Sequence, residues 1–265
     1  MMIREKTIVL WNKKIASQYY TIGIKCGKEF SSSKPGQFLM LSLPGRHPFL
    51  RRPFSIHRLI EKNGTVVGVE LLYKVVGELT GILADVKKGE LVDILGPLGN
   101  GFLFKNSFRR IFIVAGGIGV APMLFFALHL RSKGFDLCRC TLFIGGRGQK
   151  DILCADTFAD MGAEVLIATE DGSHGKKGLV TDLLNIRLKK DVADIIYACG
   201  PVPMLKQVAR IALLDGIKCQ VSTESVMACG VGACLGCAVK VKNSSDKYMH
   251  VCVDGPVFDS TDFGA

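Results

Sequence analysis

Four cysteines near the end of the chain constrain its fold and chemistry more than any other feature. They follow the spacing C-x4-C-x2-C, and a fourth cysteine comes after fourteen further residues. The four are Cys229, Cys234, Cys237 and Cys252. Four thiolates at this spacing are the ligand set of a plant-type [2Fe–2S] cluster. The sequence therefore predicts an iron–sulfur site held by these four side chains.

Glycines beside the first three cysteines suit such a site. Gly230, Gly232 and Gly236 tolerate unusual φ values, so we expect the backbone to pass close to an inorganic core and turn N–H groups toward sulfur. Two alternatives remain at this point. Structural zinc sites usually show two short ligand pairs rather than three clustered cysteines and a distant one, and a disulfide framework is typical of small secreted chains.

Composition narrows the class of protein and its compartment. The formal net charge is +10, but lysine and arginine are spread along the chain without a dense basic block, which argues against nucleic-acid binding. The positive charge instead favours attraction for a phosphate-rich cofactor or an acidic partner protein. Six of the ten cysteines are scattered, most of them inside apolar runs, as buried free thiols are. The opening residues lack the apolar core of a signal peptide, and reduced thiols without an export signal lead us to expect a cytoplasmic location.

The pattern of apolar runs and turn residues divides the chain into three parts. Short β-type runs with regular turn signals predict an antiparallel β-barrel over residues 1–104. Strands that alternate with helices predict an α/β, doubly wound parallel sheet over residues 105–218. A small iron–sulfur module is expected over residues 219–265. The apolar run Ile111–Leu130 is long enough to span a bilayer, but a glycine cluster and Pro122 break it, so we expect a buried strand, turn and helix and no membrane contact.

The first domain contains two candidate binding segments. Arg52-Pro-Phe-Ser55, expected between two strands, offers a cation for a pyrophosphate and a hydroxyl for a ring edge. Leu72-Tyr-Lys74 precedes an expected helix N-terminus, where N–H groups near Gly77 and Thr80 could meet a phosphate. On local residues alone, an ordinary edge strand with surface arginines explains the first segment equally well.

The second domain contains two candidate segments at the carboxyl edge of its sheet. Gly116-Gly-Ile-Gly119 follows a strand and precedes a helix, as a phosphate-binding turn does. Cys199-Gly-Pro201 ends the last expected strand, at the edge where ligands of open α/β sheets bind. Cys199 is alternatively a buried structural thiol. We assign no catalytic residue, because no acid–base or nucleophile set is evident.

Together these residues resemble the ferredoxin–NADP reductase superfamily. Arg52–Ser55 matches its Arg-x-aromatic-Ser motif, Gly116–Pro122 its G-G-x-G-x-A-P motif, and Cys199–Pro201 its Cys-Gly-Pro motif. With the C-terminal cysteines, the chain looks like the electron-transfer subunits of NAD-dependent dihydroorotate dehydrogenases. Phe49–Pro53 and Val251–Phe258 add to that likeness, which covers nearly the whole chain.

The resemblance implies a role for each matched position. FAD would be bound by Arg52, Pro53, Phe54, Ser55, Leu72, Tyr73, Lys74, Leu79 and Thr80. The nicotinamide nucleotide would be bound by Gly116, Gly117, Gly119, Cys199, Gly200 and Pro201. Leu79 is a departure, because the family usually has glycine there, and its Cβ could alter how the loop wraps the pyrophosphate.

The resemblance also implies a partner and a route. The partner would be an FMN-containing dihydroorotate dehydrogenase catalytic subunit, and two of each chain would form a heterotetramer. Electrons from its FMN would pass through [2Fe–2S] and FAD to NAD+ in de novo pyrimidine biosynthesis. A subunit of an NADH-dependent ferredoxin:NADP oxidoreductase or of a sulfide dehydrogenase is the alternative enzyme. A redox-sensing or zinc-stabilised interaction protein that kept only the fold is the alternative outside enzymology. Arg147 and Lys150 could meet a 2′-phosphate, although the resemblance favours NAD over NADP.

Overall fold

The computed structural model describes residues 2–241 and 246–262, and its first part is a closed six-stranded barrel. The six strands are β1 (Ile3–Ala16), β2 (Tyr19–Lys25), β3 (Phe38–Ser42), β4 (Arg52–Lys62), β5 (Thr65–Lys74) and β6 (Leu91–Leu98), with helix α1 (Glu78–Asp85) between β5 and β6. All neighbouring strands pair antiparallel in the order β1-β2-β5-β4-β3-β6. Closure leaves the barrel without free strand edges.

The rest of the chain forms a seven-stranded sheet flanked by helices, and a small hairpin. The strands are β7 (Ile111–Gly116), β8 (Cys140–Gly146), β9 (Glu164–Thr169), β10 (Lys176–Lys177), β11 (Ile195–Cys199), β12 (Lys218–Ser222), β13 (Ala238–Lys240), β14 (Tyr248–His250) and β15 (Val257–Asp259). The helices are α2 (Val120–Ser132), α3 (Ala155–Asp160), α4 (Val180–Leu188) and α5 (Val202–Leu214). The sheet order is β10-β9-β8-β7-β11-β12-β15, and β13 pairs with β14.

The strand order places a ligand-binding crevice at a defined position. Strands β8 and β9 lie on one side of β7, and β11 and β12 lie on the other side. The strand order therefore reverses between β7 and β11. In open parallel sheets, ligands bind at the carboxyl ends of the strands where the order reverses. The segments that follow β7 and β11 begin with Gly117 and Gly200, which are parts of the two predicted nicotinamide segments.

The apolar run Ile111–Leu130 folds as a buried strand, a tight turn and a helix, as the glycine cluster predicts. β7 is buried at all six positions, and α2 buries Val120–Ala127 and Leu130. Within the described ranges, no helix has both the length and the apolar character needed to cross a membrane.

The fold class predicted from the sequence is confirmed: a barrel, a doubly wound nucleotide-type sheet and a cysteine-bearing C-terminal segment. One local expectation is wrong, because Arg52–Ser55 forms the first four residues of β4 instead of a connection between strands. The ranges 1–104, 105–218 and 219–265 stay predictions, with both chain ends outside the described residues. β12 runs through the 218/219 position and pairs with β11, while β15 returns to pair antiparallel with β12.

Strand β3 is buried on both faces, and this joins the modules. Its residues alternate between two cores, as successive side chains of a strand must. Leu39 and Leu41 pack inside the barrel, whereas Phe38 and Met40 pack outward in a core that also contains Cys237 and Cys252. Burying each of these larger side chains contributes about 1.5–3 kcal/mol. The cysteine module therefore covers the outer face of β3.

A buried histidine ties the barrel to the nucleotide sheet. His57 in β4 is 3% exposed, and its Nδ1–H donates to the carbonyl of Ala121 in α2 at 2.8 Å. Burial lowers the pKa of His57, although the hydrogen bond to Ala121 opposes that shift. The imidazole is therefore neutral at physiological pH.

We expect this histidine to make folding stability fall in acid. The ordinary pKa of histidine is about 6.5, so below about pH 6.5 His57 binds a proton in the unfolded chain but stays neutral in the folded chain. The thermal midpoint should be lower at about pH 5.5 than at about pH 7.5. His57→Gln should reduce this difference, because the glutamine side chain donates a hydrogen bond without titrating. His174→Gln, at an exposed position, is the matched control. Equal falls in wild type and His57→Gln would contradict this role for His57.

Candidate functional site

A cavity of about 390 Å³ lies between the barrel and the switch point of the sheet. All nine residues predicted to bind FAD line it: Arg52, Pro53, Phe54, Ser55, Leu72, Tyr73, Lys74, Leu79 and Thr80. Gly119 and Cys199, predicted for the nicotinamide site, line the same cavity from the other domain. The structure thus gathers segments of β4, β5, α1, β11 and the turn after β7 around one cleft.

Residues of β4 form one wall of this cleft. The Arg52 guanidinium is held by the carbonyl of Leu50, to which Nη1 donates at 2.9 Å. The ring of Phe54 packs edge-on against Tyr73, with centroids 6.1 Å apart. The wall therefore combines a cation, the Ser55 hydroxyl and an aromatic edge, which are groups that suit a pyrophosphate and a flavin ring.

The polar ends of Tyr73 and Lys74 already have partners within the protein. The Tyr73 hydroxyl donates to Asn12 Oδ1 at 3.1 Å. The Lys74 ammonium lies 3.2 Å from Asp151 Oδ1, an atom that also accepts from the Tyr19 hydroxyl at 2.5 Å. Their contribution to the cleft wall thus comes mainly from ring, aliphatic and backbone atoms.

Asp151 links the flavin-side cleft to the nucleotide sheet. Burial works to raise its pKa, but hydrogen bonds from Tyr19 and Lys74 outweigh burial and hold the pKa below its usual value. Its Oδ2 also accepts from the backbone N–H of Arg147 at 3.2 Å. A single carboxylate thus connects β2 and β5 of the barrel to the loop after β8. Sequence reasoning missed Asp151, because its partners lie far away along the chain.

The start of α1 forms another wall. Thr80 Oγ1 accepts from the N–H groups of Val76 and Gly77, both at 3.0 Å, and so caps the helix. This cap places the positive end of the helix macrodipole at the cavity, where it favours an anion. Leu79 is 3% exposed and packs in the barrel core, so the fold accommodates the side chain that replaces the family's glycine.

A second cavity, of about 540 Å³, lies at the carboxyl edge of the sheet. Gly116, Gly117 and Pro201 line it, together with Arg147 and Glu170. Lys150 is not among its lining residues, so only one of the two cations considered for a 2′-phosphate reaches this cavity. Glu170 contributes a carboxylate of the kind that hydrogen-bonds the ribose hydroxyls of NAD.

The turn after β7 and the turn after β11 form a thin wall between the two cavities. A Cβ at Gly119 would overlap the carbonyl oxygen of Cys199 and lie 2.8 Å from the Cα of Gly200. Gly200 in turn packs on Gly116. A Cβ added to Gly200 would lie 3.0 Å from the Cα of Gly116. Cys199 is 4% exposed, and burial raises the pKa of its thiol to about 12, so it is a neutral thiol at pH 7.

Glu224 is a cavity residue that sequence reasoning missed. It follows β12 and lines the first cavity beside Cys199. The residue lies on the rim, but its carboxyl group is enclosed enough that burial raises its pKa. Its position just after a strand, at the ligand-binding edge of a parallel sheet, is the sequence signal that could have identified it.

The four predicted cluster ligands lie close together as two pairs. Cys237 and Cys252 are both 2% exposed, and their Sγ atoms are 3.3 Å apart. Cys229 contacts the more exposed Cys234, whose N–H donates to Cys229 Sγ at 3.4 Å. A binuclear cluster takes two ligands on each iron, so two thiol pairs fit its donor set.

Backbone N–H groups point at these sulfurs. Val231 donates to Cys229 Sγ at 3.4 Å, and Gly232 donates to Cys252 Sγ at 3.2 Å. Gly230 and Gly232 have positive φ, as expected, and an added Cβ at Gly230 would lie 2.6 Å from Met40 Cγ. The expectation for Gly236 is wrong, because Leu235 has the positive φ, 57°, in that part of the loop.

The pairs differ in their electrostatics. Hydrogen bonds from the backbone, with Val231 contributing most, lower the pKa of Cys229 to about 6. Burial, together with the neighbouring Cys237, raises the pKa of Cys252 to about 12. The exposed end of the loop is therefore arranged for a thiolate, whereas the buried end needs a cation to hold its sulfurs in the charged form.

These geometries bear on the two alternatives to an iron–sulfur cluster. The Cys237–Cys252 separation is far longer than a disulfide bond of about 2.05 Å. The C-x4-C-x2-C spacing with one distant cysteine also differs from the two short ligand pairs usual in structural zinc sites. Two separate thiol pairs suit a binuclear cluster better than either alternative.

Comparison with solved structures identifies the class of protein. The chain resembles the structure of the NADH-dependent reduced ferredoxin–NADP oxidoreductase, described for flavin-based electron bifurcation, with TM-score 0.83, 29% identity, and coverage of 97% of this chain and 88% of that one. A ferredoxin–NADP+ reductase from Neisseria gonorrhoeae with bound FAD and NADP shares the fold at TM-score 0.68 and 18% identity, over 80% and 92% of the two chains. A sequence model of the oxidoreductase NAD-binding domain matches residues 113–210. The chain is an oxidoreductase subunit with a ferredoxin-reductase fold.

Sequence relatives identify the family within that class. Residues 224–264 match the iron–sulfur cluster binding domain of dihydroorotate dehydrogenase B. The dihydroorotate dehydrogenase B (NAD+) electron transfer subunit of Caldanaerobacter subterraneus is 40% identical over 97% of both chains, and that of Fusobacterium nucleatum is 37% identical over 95% of both. The chain belongs to the family of dihydroorotate dehydrogenase B electron transfer subunits. These matches confirm the resemblance, including its iron–sulfur and nicotinamide domains on a flavoprotein reductase fold.

We expect the wall between the cavities to tolerate no side chain. Gly119→Ala forces a methyl group onto the Cys199 carbonyl, and overpacking against backbone costs about 2 kcal/mol or more, equivalent to a fall of about 4–8 °C in the thermal midpoint. Gly81→Ala is the matched control, because nothing lies within 4 Å of its added Cβ and alanine favours the α1 helix. Thermal unfolding followed by circular dichroism measures both. A Gly119→Ala midpoint equal to that of Gly81→Ala would refute the close contact.

Proposed function

We propose that this chain is the electron-transfer subunit that carries electrons from the FMN of a dihydroorotate dehydrogenase catalytic subunit, through [2Fe–2S] and FAD, to NAD+, within de novo pyrimidine biosynthesis. The bound groups supply the chemistry: the cluster exchanges single electrons, flavin exchanges one or two, and nicotinamide takes a hydride. The chain's own residues would hold these groups in sequence and exclude water. No residue of this chain is assigned a role in oxidising dihydroorotate.

The observation that carries the proposal is the linear order of the three candidate sites. Gly230, beside cluster ligand Cys229, contacts Met40 on the outer face of β3. Met40 pairs across the strands with Pro53 in the segment that lines the first cavity. On the far side of that cavity, Gly119 and Cys199 separate it from the second cavity. The flavin-type cleft thus lies between the cysteines and the nucleotide-type cavity, as a converter between one-electron and two-electron carriers must.

The first cavity would hold FAD through groups of different chemistry. We assign Arg52 and the N-terminus of α1 to the pyrophosphate, and Ser55 to the edge of the flavin ring. Phe54, Leu72 and Tyr73 would provide apolar and aromatic walls. The remaining members of the predicted set are Pro53, Lys74, Leu79 and Thr80, which shape the loop and strand backbones.

The second cavity would hold the nicotinamide nucleotide. Gly116 and Gly117 would allow a phosphate to approach the backbone, with Gly119, Gly200 and Pro201 shaping the wall. Cys199 would offer a neutral thiol where the nicotinamide enters the first cavity, since burial keeps its pKa high. The relatives named as NAD+-dependent electron transfer subunits favour NAD over NADP.

The cysteine module would receive electrons from the partner subunit. Around the cluster cysteines, Val231, Leu235 and Val253 are 40%, 59% and 49% exposed, so apolar side chains surround the solvent end of the site. Exposed apolar side chains of this kind are typical of a surface that binds another protein. We propose that the FMN-containing catalytic subunit docks there, in a heterotetramer of two of each chain. The cytoplasmic location inferred from cysteine usage stays a prediction.

A subunit of an NADH-dependent ferredoxin:NADP oxidoreductase is the second candidate. The likeness to such a structure over 97% of this chain favours it. Identity of 29% to that chain, against 40% to a dihydroorotate dehydrogenase B subunit, favours the first proposal.

The first test is the visible spectrum of the purified protein, oxidised and after anaerobic addition of NADH. We expect flavin bands with additional iron–sulfur absorption, and both should bleach because NADH reduces the flavin and the flavin reduces the cluster. A colourless protein that contains zinc would rule out electron transfer and leave only the fold.

A cysteine substitution tests the assignment of the cluster ligands. Cys252→Ser should lose the iron–sulfur absorption and reduce iron from about two atoms per chain toward none, because the hydroxyl is a poor ligand. Cys138→Ser, at an exposed cysteine outside the module, should keep both. Full iron content in Cys252→Ser would show that this thiol is not a ligand.

A further inference from the structure

Asn100, in the linker between the barrel and the nucleotide sheet, makes three hydrogen bonds to the segment that follows cluster cysteine Cys252. Its Nδ2 donates to the carbonyls of Val253 at 3.0 Å and Asp254 at 2.9 Å. Its backbone N–H donates to the carbonyl of Gly255 at 2.6 Å. One residue of the linker therefore fixes three consecutive carbonyls next to a predicted ligand.

The linker is itself anchored to the barrel. Gln37, just before β3, donates from Nε2 to the carbonyl of Gly99 at 2.7 Å and accepts from the N–H of Lys34 at 2.7 Å. Gly99 has a φ of +73°, and an added Cβ would lie 2.6 Å from Pro256. The barrel, the linker and residues 253–256 thus form one continuous set of contacts.

The Cys252 turn is rigid on its other side. Asp254 accepts from the N–H of His250 at 2.6 Å, and its own N–H donates to the His250 carbonyl at 2.8 Å. Cys252 Sγ accepts from Gly232 in the loop of the other ligands. A displacement of residues 253–254 would therefore shift the sulfur of Cys252 relative to its donor, the N–H of Gly232.

We propose that Asn100 is a positioning residue for the cluster, which acts through the Cys252 turn and fixes it to the flavin barrel. The inference rests on the proposed binding of [2Fe–2S] by the four cysteines. Outer-shell groups that orient a metal ligand typically change metal affinity by about 10–100-fold when removed. Asn100 is such a group, although it is 152 positions away from Cys252 in the sequence (252 − 100).

The test compares Asn100→Asp with Asn106→Asp in the purified full-length holoprotein. Asn100→Asp keeps the side-chain shape but turns a carboxylate oxygen toward two carbonyls, whereas Asn106 is an exposed residue of the same linker, so the charge change is matched. The readouts are iron release to EDTA, followed by visible absorbance, and the electron paramagnetic resonance spectrum after dithionite reduction. Asn100→Ala, which adds no charge, serves as a second variant if Asn100→Asp folds poorly.

We expect iron release about tenfold faster in Asn100→Asp than in Asn106→Asp, with a shifted resonance spectrum and unchanged FAD content. Asn100→Ala should show the same direction. Release rates and spectra equal to those of wild type in both Asn100 variants would overturn the proposal. A wild-type protein without iron would instead refute the proposed function, so the two failures are distinguishable.

Discussion

The burial of strand β3 on both faces is the constraint on which the rest of the structure depends. Leu39 and Leu41 fill the barrel, and Phe38 and Met40 fill the core beneath the cysteine module. An antiparallel sheet commonly leaves one face to water, but here the inner face of β3 belongs to the barrel core and the outer face to the core that contains Cys237 and Cys252. The position of the cysteines relative to the barrel is therefore set by close packing, which tolerates little change in side-chain volume.

The first and second cavities also share a boundary. The turns after β7 and β11 contact each other so closely that glycine is required, and they face a different cavity on each side. His57 and Asp151 add hydrogen bonds across this boundary from the barrel. The three sites are thus joined by direct packing and hydrogen bonds between the modules, to which the linker residue Asn100 contributes.

Local patterns in the sequence predicted most of this arrangement. The barrel strands and the strand–turn–helix of residues 111–130 were predictable, because apolar alternation and glycine clusters are local signals. The nine flavin-side residues were implied by the family resemblance, and they line one cavity. Residues that join the modules were not predictable. The Tyr19–Asp151 bond spans 132 positions and the Asn100–Val253 bond spans 153, and no local pattern marks a residue for a partner so distant. Glu224 lies between these cases, because its place after a strand was readable but its position beside Cys199 at the first cavity was not.

The double role of β3 has a consequence for how such proteins can diversify. A strand that packs against two sites cannot exchange one of its neighbours freely, because a new cysteine module must present a surface that matches Phe38 and Met40. Residues at this junction should therefore be inherited as a set with the module, and a chimera that joins the module of one relative to the barrel of another should need compensating changes along β3. We therefore expect the barrel and the cysteine module to be inherited together.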